Sequence, residues 1–454
     1  MKILVLFLSF LLSYSYSLSQ VPIFDGLPPE INTGVISSGA GVTIIDGDPF
    51  ITFRLQPAIS FDKWTIGLDV NLDYDIKNGG IRKENYDEVN DFLSMLRFVQ
   101  YGEKLPSEPF YARLGQLNAT SVGNGSIMYF YNNSPTFDNR RLGINTQINF
   151  EYGGIDLLYG NFADPGLVGG RLHLYPFSII KAVDIPIIKD MQIGTTYIQD
   201  LEPTSTYRTG FLDSSTNQMV VTQSVPKVSV SGFDVTFPLI SSELFSLKTY
   251  YDFASISGFG SGNALGISSS IKIFDLVRAD VRLERRINGE GYTTSYFNAL
   301  YEIQRINIDP TTNAIQSKIH SVSQQKADNG IFGDLMLNFS DIVRIYGSYQ
   351  ELDNTPQSGL LRLAVNILPS SQQFFVRGGL DKVNISSFLD EVFEANDRTF
   401  LYAEGGIRMG GNLQFSLLYQ KTFQAIRSED NSIIGYSPQE RIEPRINLVY
   451  PFTF

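Results

Sequence analysis

The chain of 454 residues contains no cysteine and only two histidines, His173 and His320. An exported protein of this size without cysteine is not a disulfide scaffold and must be held by something else, such as a continuous hydrogen-bonded sheet. The two histidines stand far apart on predicted strands with no cysteine beside them, and a lone strand histidine is more often a wall side chain than a metal ligand. No G-x-S-x-G, H-E-x-x-H or G-x-x-x-x-G-K-[ST] occurs, so no catalytic, metal or nucleotide motif stands out, and neither a cofactor nor an enzymatic activity is expected. Lys and Arg total 35 against 47 Asp and Glu, a formal charge of −12. With no basic patch interleaved with aromatics, that balance excludes nucleic acid as a partner. After the first dozen residues there is no apolar run of about eighteen, which excludes helical membrane spans. No Pro/Ser linker, charge block or composition shift divides the chain, so it reads as one large domain.

Met1 and Lys2 precede an apolar run, residues 3–12 (ILVLFLSFLL), and a stretch of small residues. The run is too short to cross a bilayer of about 30 Å as a helix, and residues 1–19 read as a secretory signal peptide cut near Gln20. Residues 20–31 (QVPIFDGLPPEI) carry three prolines. They read as a short periplasmic tail, or as a small stopper inside a lumen. The remaining domain is residues 32–454.

What is abundant is strand and turn material: 24 Tyr, 33 Phe and 39 Gly. Dyad alternation runs through the chain. In residues 64–75 (WTIGLDVNLDYD), Trp64, Ile66, Leu68, Val70, Leu72 and Tyr74 share one face, and Asp69, Asn71, Asp73 and Asp75 lie on the other. Residues 141–150 (RLGINTQINF) set Leu142, Ile144 and Ile148 opposite Arg141, Asn145 and Gln147. In residues 277–285 (VRADVRLER), Val277, Val281 and Leu283 oppose Arg278, Asp280, Arg282 and Glu284. A soluble β-sandwich with a wet outer face also alternates, but its strands are usually five or six residues. These strands run to about ten or more, the length that crosses a bilayer at a tilt.

The connections alternate as well, short turns at one end and longer loops at the other. Short links include residues 61–63, 151–154, 273–276, 309–313, 338–342 and 409–412; long ones include 77–90, 121–138, 201–224, 384–397 and 422–441. The count is about 22 antiparallel strands, within a range of about 18 to 24, which leaves both termini on the periplasmic side.

These features resemble a Gram-negative bacterial outer-membrane β-barrel protein of the porin-like kind, over the whole mature length. The resemblance rests on the signal peptide, the dyad strands, the turn rule and the closing run of residues 445–454 (RINLVYPFTF), where Tyr450, Phe452 and Phe454 alternate. It implies an all-β, up-and-down transmembrane barrel in the outer membrane. It further implies insertion by the barrel assembly machinery through the terminal Phe454, with the last strand closing on the first. No room remains before the first strand for the plug domain of a TonB-dependent transporter. The implied function is a channel passing small polar solutes. A filled structural or interaction barrel, including a secretion or assembly accessory, is the alternative, and a rim-located hydrolase is the third. Candidate pore-lining residues are Arg54, Asp69, Asp73, Asp75, Arg141, Lys248, Asp252, Lys272, Arg278, Asp280, Arg282, Glu284 and Arg344. Asp69, Asp73 and Asp75 are read as a solvated wall in preference to a carboxylate site. Residues 118–133 (NATSVGNGSIMYFYNN) fold into the barrel as a constriction or extend a strand above it. The acidic surplus on residues 83–91 and 427–430 predicts a weak cation preference.

Overall fold

The structure, a computed structural model, describes residues 33–83, 86, 92–93, 95–134, 136, 140–180, 185–216, 218–274, 276–309, 312–340, 342–368, 373–386, 399–427 and 433–453. Residues 1–19, read as a signal peptide, residues 20–31, read as a tail, and Phe454 lie outside them. Along the chain the barrel strands are β1 Thr33–Ile45, β2 Asp48–Phe61, β3 in two halves, Trp64–Leu68 and Val70–Asp75, β4 Leu96–Tyr101, β5 Phe110–Gly115 and β6 Gly143–Phe150. Then come β7 Gly153–Tyr159, β8 Leu167–Leu174, β9 Gln192–Asp200, β10 Ser229–Ser241, β11 Phe245–Ile256, β12 Ser261–Ile273 and β13 Val277–Asn288. The last are β14 Asp328–Phe339, β15 Val343–Leu352, β16 Gly359–Ile367, β17 Phe374–Ile385, β18 Thr399–Gly410, β19 Leu413–Arg427 and β20 Ile433–Thr453. Each pairs antiparallel with the next, and β20 returns to β1 from Thr33↔Thr453 to Ile45↔Arg441. The 21-segment sheet is thus a closed barrel of 20 strands, one of them interrupted at Asp69.

Closure removes every sheet edge, so the backbone polar groups of the wall are satisfied without water. The side chains are arranged inside out relative to a soluble protein. Leu55, Leu68, Leu72, Leu283, Ile331 and Leu448 stand exposed on the outside, while Asp73, Asp280, Glu284, Arg286 and Arg441 are buried within. Aromatic rings gather outside the turn end: Trp64 packs edge-on against Tyr101 at 5.0 Å, and Tyr101 lies 5.6 Å from Phe110. Phe53, Tyr74, Tyr197 and Phe233 are exposed towards the loop end. Two aromatic belts flanking an apolar band are the interfacial signature of a membrane barrel. The link between β1 and β2 is the two-residue turn Asp46–Gly47, with φ of 50° and 90°. Such positive-φ turns match strand twist, and Asp and Gly tolerate the conformation.

The strand count is lower than the sequence reading gives, though inside its range. The difference lies in residues 289–327, where alternation suggests two wall strands joined at 309–313. Those residues do form a hairpin, Ile306–Ile308 with Ala314–Ser317. At three and four residues its arms are too short to cross a bilayer, and they join Tyr207–Asp213 and Gln218–Ser224 in a four-stranded sheet at the loop end. The next residues, Lys318–Ser323, form a helical turn capped by Ser317, whose hydroxyl accepts from His320 N at 3.1 Å. His320 therefore sits on a helix and not on a strand.

Candidate functional site

Two loop-end segments turn inward. Residues 116–142, between β5 and β6, supply Thr120–Val122 and Met128–Tyr131; residues 289–327 supply Phe297–Asn298, which pairs parallel to Met128 and Tyr129. This small sheet packs its apolar face against the wall of β7 to β11, where Met128, Tyr131 and Phe297 meet Leu158, Ile198, Val230 and Ala254. The glycine-and-aromatic run at 118–133 thus folds into the barrel: its rings need a dry surface that the lumen otherwise lacks.

Polar anchors hold the segment. Ser126 Oγ and Asn124 Nδ2 donate to Asp252 at 2.5 and 2.8 Å, and Arg282 donates to Asn124 O. Tyr129 donates to Asp334 at 2.6 Å and also meets the Tyr346 hydroxyl. Deeper in, Glu302 accepts from Tyr131 at 2.6 Å and from Arg305 at 2.6 and 2.9 Å, and pairs with Arg141. Arg305 also reaches Asp200 at 2.8 Å. Burial pushes the Glu302 carboxyl up, but Arg141 and Arg305 outweigh it and hold it below its ordinary range. Lys318, enclosed near the Tyr296 and Tyr301 rings at 5.2 and 5.3 Å, donates to Gln304 at 2.7 Å. Burial lowers its ammonium to about 7.

On the opposite side the wall is lined by ions. Arg54 grips Asp69 with two bonds of 2.8 and 2.6 Å, and Arg140 donates to the same carboxylate at 2.7 Å. Glu404 accepts from Arg377 at 2.7 Å and from Arg445 at 3.0 Å. Between this wall and the inward segment lies a cavity of about 110 Å³, lined by Arg54, Arg97, Arg377 and Arg445 of the wall and by Gln116, Asn118, Asn132 and Arg140 of the segment. Tyr402, Phe400 and Leu418 supply a short apolar strip.

The sequence-derived candidates separate into six places. Arg54 and Asp69 meet at the cavity. Asp73 lies above them, accepting from Thr52 at 2.5 Å and pairing with Arg441. Asp75 sits at the lip, where its carboxylate accepts from the backbone of Lys77 and Asn78. Asp252, Arg282 and Glu284 stand behind the inward segment, with Glu284 bound to Tyr250 and Arg286. Lys248, Lys272, Arg344 and the Arg278–Asp280 pair occupy the turn half of the inward face. Arg141 precedes β6 instead of lying on it, and reaches Glu302. The reading missed Arg97, Arg377, Glu404 and Arg445 in the wall, and Arg140, Glu302 and Arg305 in the inward segments. The same dyad rule marks Arg441, Glu443 and Arg445 on one face of β20.

No family model matches the chain, and no curated protein matches it. The solved structures similar to it include three distant barrels. Wzi, an outer-membrane protein involved in group 1 capsule assembly in Escherichia coli and a carbohydrate-binding β-barrel, is 11% identical, with 93% of this chain and 85% of that chain covered and a TM-score of 0.35. OpdK from Pseudomonas aeruginosa is 8% identical, with 92% and 98% covered and a TM-score of 0.30. CdiB from Acinetobacter baumannii is 7% identical with a TM-score of 0.27, and the chain spans 60% of its length. Likeness of this degree carries no argument of its own. The class follows from the barrel itself: closed, antiparallel, apolar outside and charged inside, the protein is a transmembrane β-barrel of the outer-membrane type.

Proposed function

We propose that the barrel is an outer-membrane channel of restricted bore, passing small polar solutes down their gradients. The observation that supports this is the polar cavity that the inward segments leave in the lumen. They pack apolar side chains against β7 to β11, β14 and β15, and through Leu300 also against Val383, Phe400, Tyr402, Leu418 and Phe423 of β17 to β19, yet a cavity lined by Arg54, Asp69, Arg377 and Arg445 remains. A barrel selected only to be solid would fill that space too with apolar side chains, because burying ions costs several kcal/mol each before pairing repays it. In this reading the loop end faces outwards and both termini lie on the periplasmic side. The signal peptide directs export, and the terminal Phe454 hands the chain to the barrel assembly machinery. Its partners are then membrane lipid, that machinery and the passing solute.

Planar-bilayer recording of the purified barrel tests it: discrete conductance steps are expected, with slower uptake in liposome swelling as solute size rises. Absence of current from a correctly folded barrel refutes it. A second reading, a filled barrel that binds a partner through its loop end, draws support from the closeness of the apolar packing around Met128 and Phe297, both fully enclosed. Zero conductance together with retained folding favours that reading.

A further inference from the structure

We infer that the outer face of the barrel carries, at its loop end, a binding site for the sugar head group of a membrane glycolipid. The site is an open pocket of about 330 Å³ at the loop ends of β12, β13 and β14, lined by Ser261, Asn263, Ile287, Asn329 and Asn354 among others. Parity puts it outside the wall: Asn263 shares a face with Leu265, Ile287 with Leu283, and Asn329 with Ile331. Register sets its height. Asn263, Ile287 and Asn329 pair in one row, which continues through Phe253 to Phe233 in the loop-end aromatic belt. The next row down holds Arg285 between Leu265 and Ile331, and its guanidinium reaches Asp353, just beyond the end of β15, with one bond of 3.0 Å. A charged side chain that leaves an apolar band in this way marks the interface with water.

The lining selects the head group. None of the described residues around the pocket is basic, and its one acid, Asp328, accepts from Asn354 N at 3.0 Å, Asn354 Nδ2 at 2.9 Å and Thr355 at 2.7 Å. A phosphate seated there would meet a carboxylate and no cation. The other polar groups are a hydroxyl and several amides, each amide presenting a donor beside an acceptor, the pattern that the hydroxyl groups of a sugar satisfy. Tyr251 donates to Asn263 Oδ1 and so holds that amide. Asn288, 3% exposed, lines the pocket too; its Oδ1 takes Thr294 at 2.7 Å while its Nδ2 has no partner. A buried donor left unmade is costly, and a ligand hydroxyl would satisfy it. Ile287 offers an apolar surface to the C–H side of a sugar ring. Below the pocket Leu265, Leu283 and Ile331, each more than half exposed, form a lipid-facing stripe. A molecule seated in the pocket therefore continues downward as hydrocarbon, and the ligand chemistry that fits both parts is a neutral, hydroxylated head on acyl chains. The site stands outside the lumen and does not depend on whether the barrel conducts.

The test uses the full barrel in lauryldimethylamine oxide micelles, with native mass spectrometry counting the retained molecules. The probes are monogalactosyl diacylglycerol, phosphatidylglycerol with the same acyl chains, and methyl β-galactoside. Asn329→Ala and Asn263→Ala serve as variants, checked for folding by heat-modifiable gel mobility. Wild type is expected to retain one galactolipid in about tenfold preference to phosphatidylglycerol, and each variant to lower that retention about fivefold. Equal or greater retention of phosphatidylglycerol, no retained galactolipid, or unchanged retention in both folded variants overturns the inference. Binding of methyl β-galactoside as tight as that of the lipid also overturns it, because the acyl chains then contribute nothing and the site takes a soluble sugar. Each of these outcomes leaves the channel reading standing, since conductance is measured separately.

Discussion

Replacing Glu302 by Gln is the most informative single perturbation, because this carboxylate joins both inward segments. Its side chain is fully buried, and it receives Tyr131 from one segment, Arg305 from its own, and Arg141 from the approach to β6. Glutamine keeps the shape and one acceptor but removes the charge, and its amide turns a donor towards the guanidinium groups. Breaking a buried ion pair by removing one partner costs about 3–5 kcal/mol. Arg305 retains Asp200 and Arg141 retains the Tyr436 hydroxyl, so the low end, about 3 kcal/mol, applies. That shifts the balance between packed and released segments by about a hundredfold. The barrel wall contributes only Asp200 and Tyr436 to these groups, so gel mobility should be unchanged while single-channel current rises and becomes noisier. The pH dependence has a definite sign. The folded carboxyl lies below its unfolded value, so its contribution is fully present above about pH 4.3 and is lost as pH falls through the depressed folded value. Wild-type current should therefore rise on acidification below about pH 4, and the variant should lose that rise. Identical conductance, noise and acid response in both proteins would refute the role assigned to Glu302.

Arginine placed at Leu68, Ile144, Val281 or Leu448 on the lipid face should cost about 2–4 kcal/mol each and impair assembly. Arginine at Asn71, Asn145 or Gln147 on the inward face should be tolerated in the same folding assay. Circular dichroism of the detergent-folded protein should be dominated by β structure, and a substantial helical signal would contradict the barrel. Lys318→Met should stabilise the packed inward segments. The wild-type ammonium, lowered to about 7 by burial, makes packing stronger as pH rises from there towards the unfolded value near 10.4. Channel noise should accordingly fall between pH 7 and 10 in wild type and be flat in the variant.

Most of the wall is legible in the sequence because a barrel strand obeys one local rule. Each residue's environment is decided by parity, lipid on one side and lumen on the other, so residues 64–75 can be assigned without knowing any neighbour. The assignment even survives the interruption at Asp69, where Leu68 and Leu72 remain outward and Asp73 inward. The rule fails where a segment leaves the wall. Residues 306–317 alternate because they form a real hairpin, yet alternation says nothing about whether a hairpin spans a membrane. Length is the discriminating quantity, and arms of three and four residues fall far below the nine to eleven or so a crossing needs.

The cavity was half legible for a different reason. Arg54 and Asp69 are readable as inward residues, but their meaning depends on Arg140, from the segment before β6, and on Arg377, Glu404 and Arg445, which come near only when the last strands close on the first. A count of charges along the chain gives −12 and points to cations. At the cavity Arg54 and Arg140 share Asp69, Arg377 and Arg445 share Glu404, and Glu443 lies 3.4 Å from Arg445, so charges of both signs stand close together there. Net charge governs the approach to the mouth, where salt screens it over about 10 Å. Within the barrel, enclosed charges are screened less than exposed ones, so the paired ions at the cavity keep their reach. Raising ionic strength separates the two fields: it should erase any steering by the loops and leave the preference set at the cavity largely intact. A preference that vanished with salt would place the selecting charges at the mouth.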